Sequence, residues 1–598
     1  MWKRIFLILL TATLLWAVVA CDKPTSDPLS NTDTDAEETT AEPVSVLPLE
    51  LVSAGSGNYT VIYPEGAAST LMAGVNELVN TIKTYTGATL TVQDDYIGAT
   101  QQETAREILI GKTNREASTA AWEQLRKGEY AITVDGDKLI LCGVSDTETV
   151  AAVNYLIDLI KSCDGLSAGT ENGSLIFSPD EQYQKMGTYY IQSLQINGKS
   201  ISAYRIVVPK EGYVEWYIAK LLAQYLQTYS GYMVEVVTDE EPTKNYEILI
   251  GKTNRTSAIE APTAGSYRIA VTEKGLEALA SSDYGYLDIL DALQKNIIKY
   301  TQSAVSLQNG NIWDGTETAY ANTACQGTLR IMYHNVWGYL NADGSNPMAN
   351  RSDIAISVYE RYAPDILCMQ EAGPYYRNNS TAMVAWLAEN YTEICYSSQG
   401  GSGNPIFYRN ETLELVESGY EKSRNGDKGT TWAVFRERAT GSLFAVTNSH
   451  FAANTNAGDD PTLGNTYRMQ DAQTVVNVCT DIVSKYGSIT VFSGGDFNCM
   501  IGNDPYAILT TNGYRNIRDE TASADAKSPY HGSYAYNEEL EIYPLQSRLP
   551  YDSSLAIDHI MTTGSAATVH CYNVLDDRLA LTTSDHAPHF IDITLPQN

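Results

Sequence analysis

At 598 residues the chain is longer than one hydrophobic core supports, so several domains are expected. Its 40 basic residues against 72 acidic ones leave a formal net charge of −32. Such a surface repels polyphosphate and excludes avid, non-specific gripping of duplex DNA through a basic groove. It does not exclude a metal-dependent enzyme that meets phosphate locally.

The chain opens with Lys3 and Arg4, then the apolar run Ile5 to Ala17, which is too short and wrongly flanked for a spanning helix and reads as a secretion signal. Val18-Val19-Ala20-Cys21 follows and resembles a bacterial lipobox. That resemblance implies removal of residues 1–20, diacylation of Cys21 as the lipid attachment site, and an outward-facing protein anchored to a bacterial cell membrane. Residues 21–45, rich in Asp, Glu, Thr, Ser and Pro, cannot bury a core and are expected to form an acidic disordered tether. The other eight cysteines show no spacing suited to zinc. Apolar runs precede Cys142, Cys368 and Cys479, which are expected to be buried free thiols.

A duplication comes next. Glu107-Ile108-Leu109-Ile110-Gly111-Lys112-Thr113-Asn114-Arg115 recurs at Glu247 to Arg255. The flanks match: β-prone Tyr59–Tyr63 and Tyr204–Val208, helical Leu71–Tyr85 and Trp216–Tyr229, then Gly87 and Gly231 where a helix would end. Strands at Thr89–Val92 and Val234–Val237, and at Tyr130–Val134 and Tyr267–Val271, are followed by helices near Glu148–Ile160 and Tyr284–Ile298. Two duplicated small α/β domains are therefore expected, at about 46–180 and 185–315. The unit resembles accessory domains found ahead of catalytic domains in secreted glycoside hydrolases, which implies contact with glycan or cell wall. The plainer reading gives Gly111 and Gly251 to a turn, Asn114 and Asn254 to a cap, and Lys112 and Arg115 to solvent. The Gly-Lys-Thr is no phosphate loop, because the upstream Gly is missing.

After a linker at 316–325, residues 326–598 alternate strand-like and helical runs: Leu329–Tyr333, Ile354–Tyr362, Ile366–Met369, Leu443–Thr447, Arg468–Tyr486 and Ile489–Phe492. Polar groups stand at the ends of these runs: Asn335, Glu371, His450, and then Asp496 with Asn498, which alternation would send to one side if the strand continues. Asp558 and the pair Asp585-His586 complete the set. Carboxylates, amides and imidazoles at strand ends suit phosphate ester hydrolysis, which needs a divalent cation, a base and charge-stabilising donors.

In order and jointly, the Gln370-Glu371, Gly495-Asp496-Phe497-Asn498, Ile557-Asp558-His559-Ile560 and Ser584-Asp585-His586 elements resemble the endonuclease/exonuclease/phosphatase superfamily, over about residues 327–596. The resemblance implies a four-layered αββα sandwich with the site at the strand ends. Carried over, Glu371 would bind Mg²⁺ or Mn²⁺ with Asn335 beside it, and Asp585 would lie near the metal. Asp496 would orient or deprotonate water, Asn498 would hold a phosphate oxygen, His450 would stabilise the reacting phosphorus or the leaving group, and Asp558 would orient His586. Which of Asp496 and His586 takes the proton stays open, as does the substrate: nucleic acid, phospholipid or phosphorylated sugar. Tyr530 to Tyr534 sits where the superfamily often has a substrate loop. His334, His559, His570 and His589 are expected to be structural, and Trp337 and Tyr339 to line the pocket or the core. The reading from another class is a glycan- or wall-binding surface protein that uses the last region as scaffold.

Overall fold

The computed structural model describes residues 48–98, 102–162, 173–255, 257–338, 348–396, 403–423, 428–521, 523–524, 527–530, 556–564 and 566–597, with side chains from 351 in the helix that begins at 348. The signal-like start, Cys21, the tether, Tyr339, residues 400–402 and His531 to Tyr534 lie outside them. Among the described residues no helix is long and apolar enough to cross a membrane.

The duplicated segments fold into two six-stranded sheets of identical order. In the first, Thr91–Asp94, Thr60–Tyr63, Glu107–Ile110, Lys138–Gly143, Tyr130–Asp135 and Tyr183–Lys185 lie side by side. In the second the order is Val236–Thr238, Arg205–Val208, Glu247–Ile250, Gly275–Ala280, Ser266–Thr272 and Ile312–Thr316. The shared Glu-Ile-Leu-Ile strand is central and parallel to its neighbours, which is why it reads as an unbroken apolar run. The long helices Ser69–Thr86 and Tyr213–Ser230 stop at Gly87 and Gly231, with φ of 77° and 72°. Only a residue without Cβ takes that left-handed cap cheaply.

The repeated Asn-Arg pair is neither a simple cap nor a solvent-facing one. In the first repeat the Asn114 N–H donates to Asp95 Oδ2 at 2.7 Å, and Arg115 Nη1 donates to the Asp95 carbonyl at 3.0 Å. In the second, the Asn254 N–H reaches Asp239 Oδ2 at 2.6 Å and Arg255 Nη1 the Asp239 carbonyl at 2.9 Å. Arg115 is fully buried and ion-paired with Glu107 at 3.3 Å, which corrects the expectation that it sits in solvent. Lys112 is exposed, 3.6 Å from the Trp122 ring centre. The motif thus ties a loop to the sheet from inside: Glu107 is paired by Arg115 and Lys138, and Glu247 by Arg255 and Arg205.

Residues from Leu329 onward form two more six-stranded sheets. One runs Thr392–Ile394, Ile406–Tyr408, Ile366–Gln370, Leu329–Asn335, His589–Thr594, Thr568–Val574; the other runs Leu413–Lys422, Gly429–Glu437, Leu443–His450, Thr490–Asp496, Asp558–Thr563, Arg515–Asn516. Alternation sends Leu329, Ile331 and Tyr333 into the core between the sheets and Met332 outward beneath helices Met348–Tyr362 and Thr381–Asn390. On the second sheet Val434, Ala445 and Val491 pack under Pro461–Tyr486 and Asp504–Thr511. The result is the four-layered αββα sandwich. Pro461–Tyr486 begins earlier than its apolar periodicity suggests, because Asp460 accepts hydrogen bonds from the Thr462 and Leu463 N–H groups and Pro461 opens the helix.

The second repeat packs directly on the sandwich. One apolar cluster runs from Tyr217, Leu290 and Leu293 to Val358, Tyr362 and Leu579. Buried Asp577 accepts from Tyr284 Oη and Tyr362 Oη, each at 3.2 Å, and Arg578 pairs with Asp291 at 2.9 Å. Cys142, Cys368 and Cys479 are buried free thiols.

Candidate active site

Topology gathers the polar strand ends. Leu329–Asn335 runs parallel to Ile366–Gln370 in one sheet, and Leu443–His450 parallel to Thr490–Asp496 in the other. All four end at the same edge of the sandwich. Asp558 opens the antiparallel strand paired with Asp496, and His586 sits just before the strand that begins at His589. A cavity of about 760 Å³ results, lined by Glu371, His450, Asp496, Asn498, Asp585 and His586 together with Trp337, Lys428 and Tyr530.

The turns holding these groups depart from ordinary backbone. Trp337, Glu371 and Asn498 have φ of 49°, 62° and 48°, a region that non-glycine residues enter at a cost and that clusters at functional sites. The strand ends at Asp496, so Asn498 reaches the cavity through this left-handed turn and not by the alternation expected of a continuing strand. Gly338 is required beside Glu371, since a Cβ there would lie 1.8 Å from the Glu371 carbonyl oxygen.

Asn335 donates through Nδ2 to Asp496 Oδ2 at 3.0 Å and to Glu371 Oε1 at 3.3 Å, while its Oδ1 accepts from the Trp337 N–H at 3.0 Å. It thus ties the Asp496 and Glu371 carboxylates to the Trp337 turn. The Gly338 N–H donates to Glu371 Oε2 at 2.9 Å. Asp496 Oδ1 accepts from the Asn498 N–H at 2.8 Å, and Asn498 Nδ2 donates to the Phe451 carbonyl at 3.0 Å. One proton of that amide stays available to the cavity side by valence. Ser584 Oγ donates to the Asn335 carbonyl at 2.7 Å, fastening the Asp585-His586 turn to the first sheet.

His586 Nδ1 lies 2.9 and 3.0 Å from the two oxygens of Asp558, so the proton on that nitrogen points at the carboxylate. Its Nε2 is 3.8 Å from Asp496 Oδ2 and 4.0 Å from Asp585 Oδ1. Burial alone would lower the imidazole, but the Asp558 and Asp585 carboxylates reverse it and push His586 up to about 10. Asp558 moves the opposite way: burial would raise it, and the His586 charge holds it below its ordinary value. Asp496 is raised by burial, with Asp558 and Glu371 adding to it against His586. Burial, then the Asp585 charge, raises Glu371; burial also raises Asp585. His450 lies 3.5 Å from Asp496 Oδ2 through Nε2, and burial, then Lys428 and His586, hold it well below the ordinary imidazole value.

Among the described residues, His334, His559, His570 and His589 are not part of the cavity lining. His334 is buried between the Tyr359 hydroxyl and the His586 carbonyl, and His559 Nε2 contacts the Cys499 carbonyl at 2.8 Å. His589 is buried, and His570 contacts Thr594 Oγ1 at 2.8 Å. Sequence reasoning missed Lys428, whose Nζ is 3.2 Å from His450 Nδ1. It undervalued Tyr530, whose ring centre lies 4.6 Å from that of His586. A lysine before Gly429-Thr430-Thr431 carries no signal of its own; only the pairing of Thr430 with Ser449 puts it beside His450.

Residues 332–586, which contain this whole constellation, match the Endonuclease/Exonuclease/phosphatase family. Among solved structures, the endonuclease/exonuclease/phosphatase from Bacteroides vulgatus is similar at 23% identity, over 45% of this chain and 99% of that one, with a TM-score of 0.35. The mannosyl-6-phosphatase of Bacteroides thetaiotaomicron is similar at 18% identity, over 44% and 99% of the two chains, with a TM-score of 0.31. The human Nocturnin catalytic domain is similar at 15% identity, over 46% and 97%, with a TM-score of 0.33. No curated protein matches the chain.

Proposed function

We propose that residues 326–598 are a divalent-metal-dependent hydrolase of phosphate esters, acting on phosphodiesters or phosphomonoesters. The observation that carries this reading is the convergence of Glu371, His450, Asp496, Asn498, Asp585 and His586 on one cavity from the ends of both sheets. The donor set fits a hard cation: Glu371 and Asp585 are two carboxyl groups on one cavity, close enough that the Asp585 charge adds to burial in raising Glu371. Among the described residues no group of three or more His, Cys, Asp or Glu forms a full metal cage. Two carboxylates suit Mg²⁺ or Mn²⁺, which keep waters and take substrate oxygens as further ligands. When bound there, the cation would neutralise phosphate oxygens.

The chain's own groups divide the rest of the work. Asp496, raised by burial and held by Asn335 and the Asn498 N–H, takes the proton from the attacking water. His586, kept protonated by Asp558, stabilises charge on the phosphoryl oxygens and can return a proton to the leaving oxygen. Asn498 adds an amide donor. The signal-like start and Cys21 belong to the same proposal, as a lipid tether that holds the enzyme at the outer face of a bacterial membrane; mass spectrometry of the mature N-terminus tests it, and an unmodified Cys21 would overturn it. For the activity, a panel of nitrophenyl phosphate mono- and diesters with Mg²⁺ or Mn²⁺, with and without chelator, decides. Turnover abolished by chelator is expected, and no turnover of any ester contradicts the reading.

A further inference from the structure

Two imidazoles face the same oxygen of Asp496 through Nε2: His450 at 3.5 Å and His586 at 3.8 Å. Opposite charges stand behind them. Behind His586 is the Asp558 carboxylate, at 2.9 Å from Nδ1; behind His450 is the Lys428 ammonium, at 3.2 Å from Nδ1. An ammonium has only donors, so Nδ1 of His450 must be the acceptor, and the single proton of that neutral ring goes to Nε2. The opposite tautomer would set two donors head to head.

We propose that Lys428 is a positioning residue that fixes His450 in the tautomer protonated at Nε2, so that a neutral hydrogen-bond donor faces the cavity beside Asp496. Lys428 is only 5% exposed, so solvent does not average the contact away. Its backbone is pinned by the Ser423 N–H on the Lys428 carbonyl at 2.9 Å, and the strand it precedes pairs Thr430 with Ser449, the neighbour of His450. Burial raises buried Asp471 and also raises Glu371, and the Lys428 charge offsets part of both shifts, so carboxyl groups surround the ammonium in its buried setting. Burial and the Lys428 charge also keep the His450 ring neutral. The cavity thus carries one imidazolium, His586, and one neutral N–H donor, His450, and the charge placed behind each ring makes the difference. The catalytic consequence rests on the hydrolase reading: the His450 N–H would donate to a phosphoryl oxygen without transferring its proton.

The test uses the full chain labelled with ¹⁵N in its seven histidines, with His450 assigned by the signals lost in His450→Gln. Long-range ¹⁵N–¹H correlations should show wild-type His450 protonated at Nε2 alone. Lys428→Met should convert it to a mixture or to the Nδ1-protonated form, and should lower kcat about 10-fold or more with KM changed less than about 2-fold. Lys428→Arg should keep the wild-type tautomer. A wild-type His450 protonated at Nδ1, or a tautomer unchanged in Lys428→Met, overturns the proposal. If Lys428→Met does not fold, the wild-type spectrum still decides. If the wild type hydrolyses no ester, the hydrolase reading fails while the tautomer is still decided by the spectrum.

Discussion

Asp496 is the residue on which the site turns. Asn335, the Asn498 N–H and two imidazoles all address its carboxylate. Asp496→Asn keeps the shape and removes the base, so kcat should fall about 10²-fold or more with little change in thermal stability. His586→Ala should cost a similar factor by removing charge stabilisation. Steady-state kinetics of the two variants beside wild type checks both; full activity in either would remove that residue from the mechanism. Asp496 was legible in the sequence because it follows an apolar run that had to be a strand, and His586 because Ser584-Asp585-His586 matches a superfamily element. Lys428 was not, because its role depends on which strand lies next to its own. Asn498 was placed correctly for the wrong reason: the strand ends before it, and a left-handed turn delivers it.

At the scale of elements, the repeated Glu-Ile-Leu-Ile-Gly-Lys-Thr-Asn-Arg segment explains itself as structure. Arg115 was read as a surface residue because arginine so often is; only the sheet shows Glu107 beneath it. Arg115→Met removes one of the two cations on Glu107 and leaves Lys138 at 2.6 Å, so the loss should be about 2 kcal/mol, below that of a buried pair broken outright. Arg255→Met should cost about as much, because its side chain is only 9% exposed and Glu247 likewise keeps a second cation, Arg205, at 2.6 Å. Denaturant unfolding of the two variants checks both; a loss below about 0.5 kcal/mol in either would contradict the buried-pair reading. A second consequence comes from Glu215, in the first turn of helix Tyr213–Ser230, where burial, aided by Asp283, pushes its carboxyl up to about 7 from 4.5. Between those values the folded chain binds more protons at this site than the unfolded chain. The contribution is therefore fully present below about 4.5 and lost as pH rises through about 7. Glu215→Gln should remove that loss and be about 2 kcal/mol more stable than wild type near pH 8. Melting curves across pH check it, and a variant that parallels wild type at every pH would refute it.

For the whole molecule, the sequence indicated separate repeats and an α/β sandwich, and the four αββα layers were implied by the superfamily resemblance alone. It did not show that the second repeat and the sandwich share one apolar cluster, because the contact joins helix faces far apart in sequence, around Asp577, Tyr284 and Tyr362. Residues 326–598 produced alone should therefore expose the Val358 and Tyr362 surface, melt at least about 5 °C below the full chain and self-associate. Calorimetry and light scattering read both effects, and an isolated region as stable and monomeric as the full chain would show the interface to be incidental. The repeats also commit their polar motif residues internally, to Asp95, Asp239, Glu107 and Glu247. The cavity is proposed to hydrolyse phosphate esters with a divalent cation. The most direct test is turnover of bis-p-nitrophenyl phosphate by the purified full chain with Mg²⁺, in wild type and in the Asp496→Asn, His586→Ala double variant. Turnover that chelator abolishes and that the double variant lacks is expected; equal rates in the two proteins, or turnover indifferent to chelator, would contradict a metal-dependent hydrolase at this cavity.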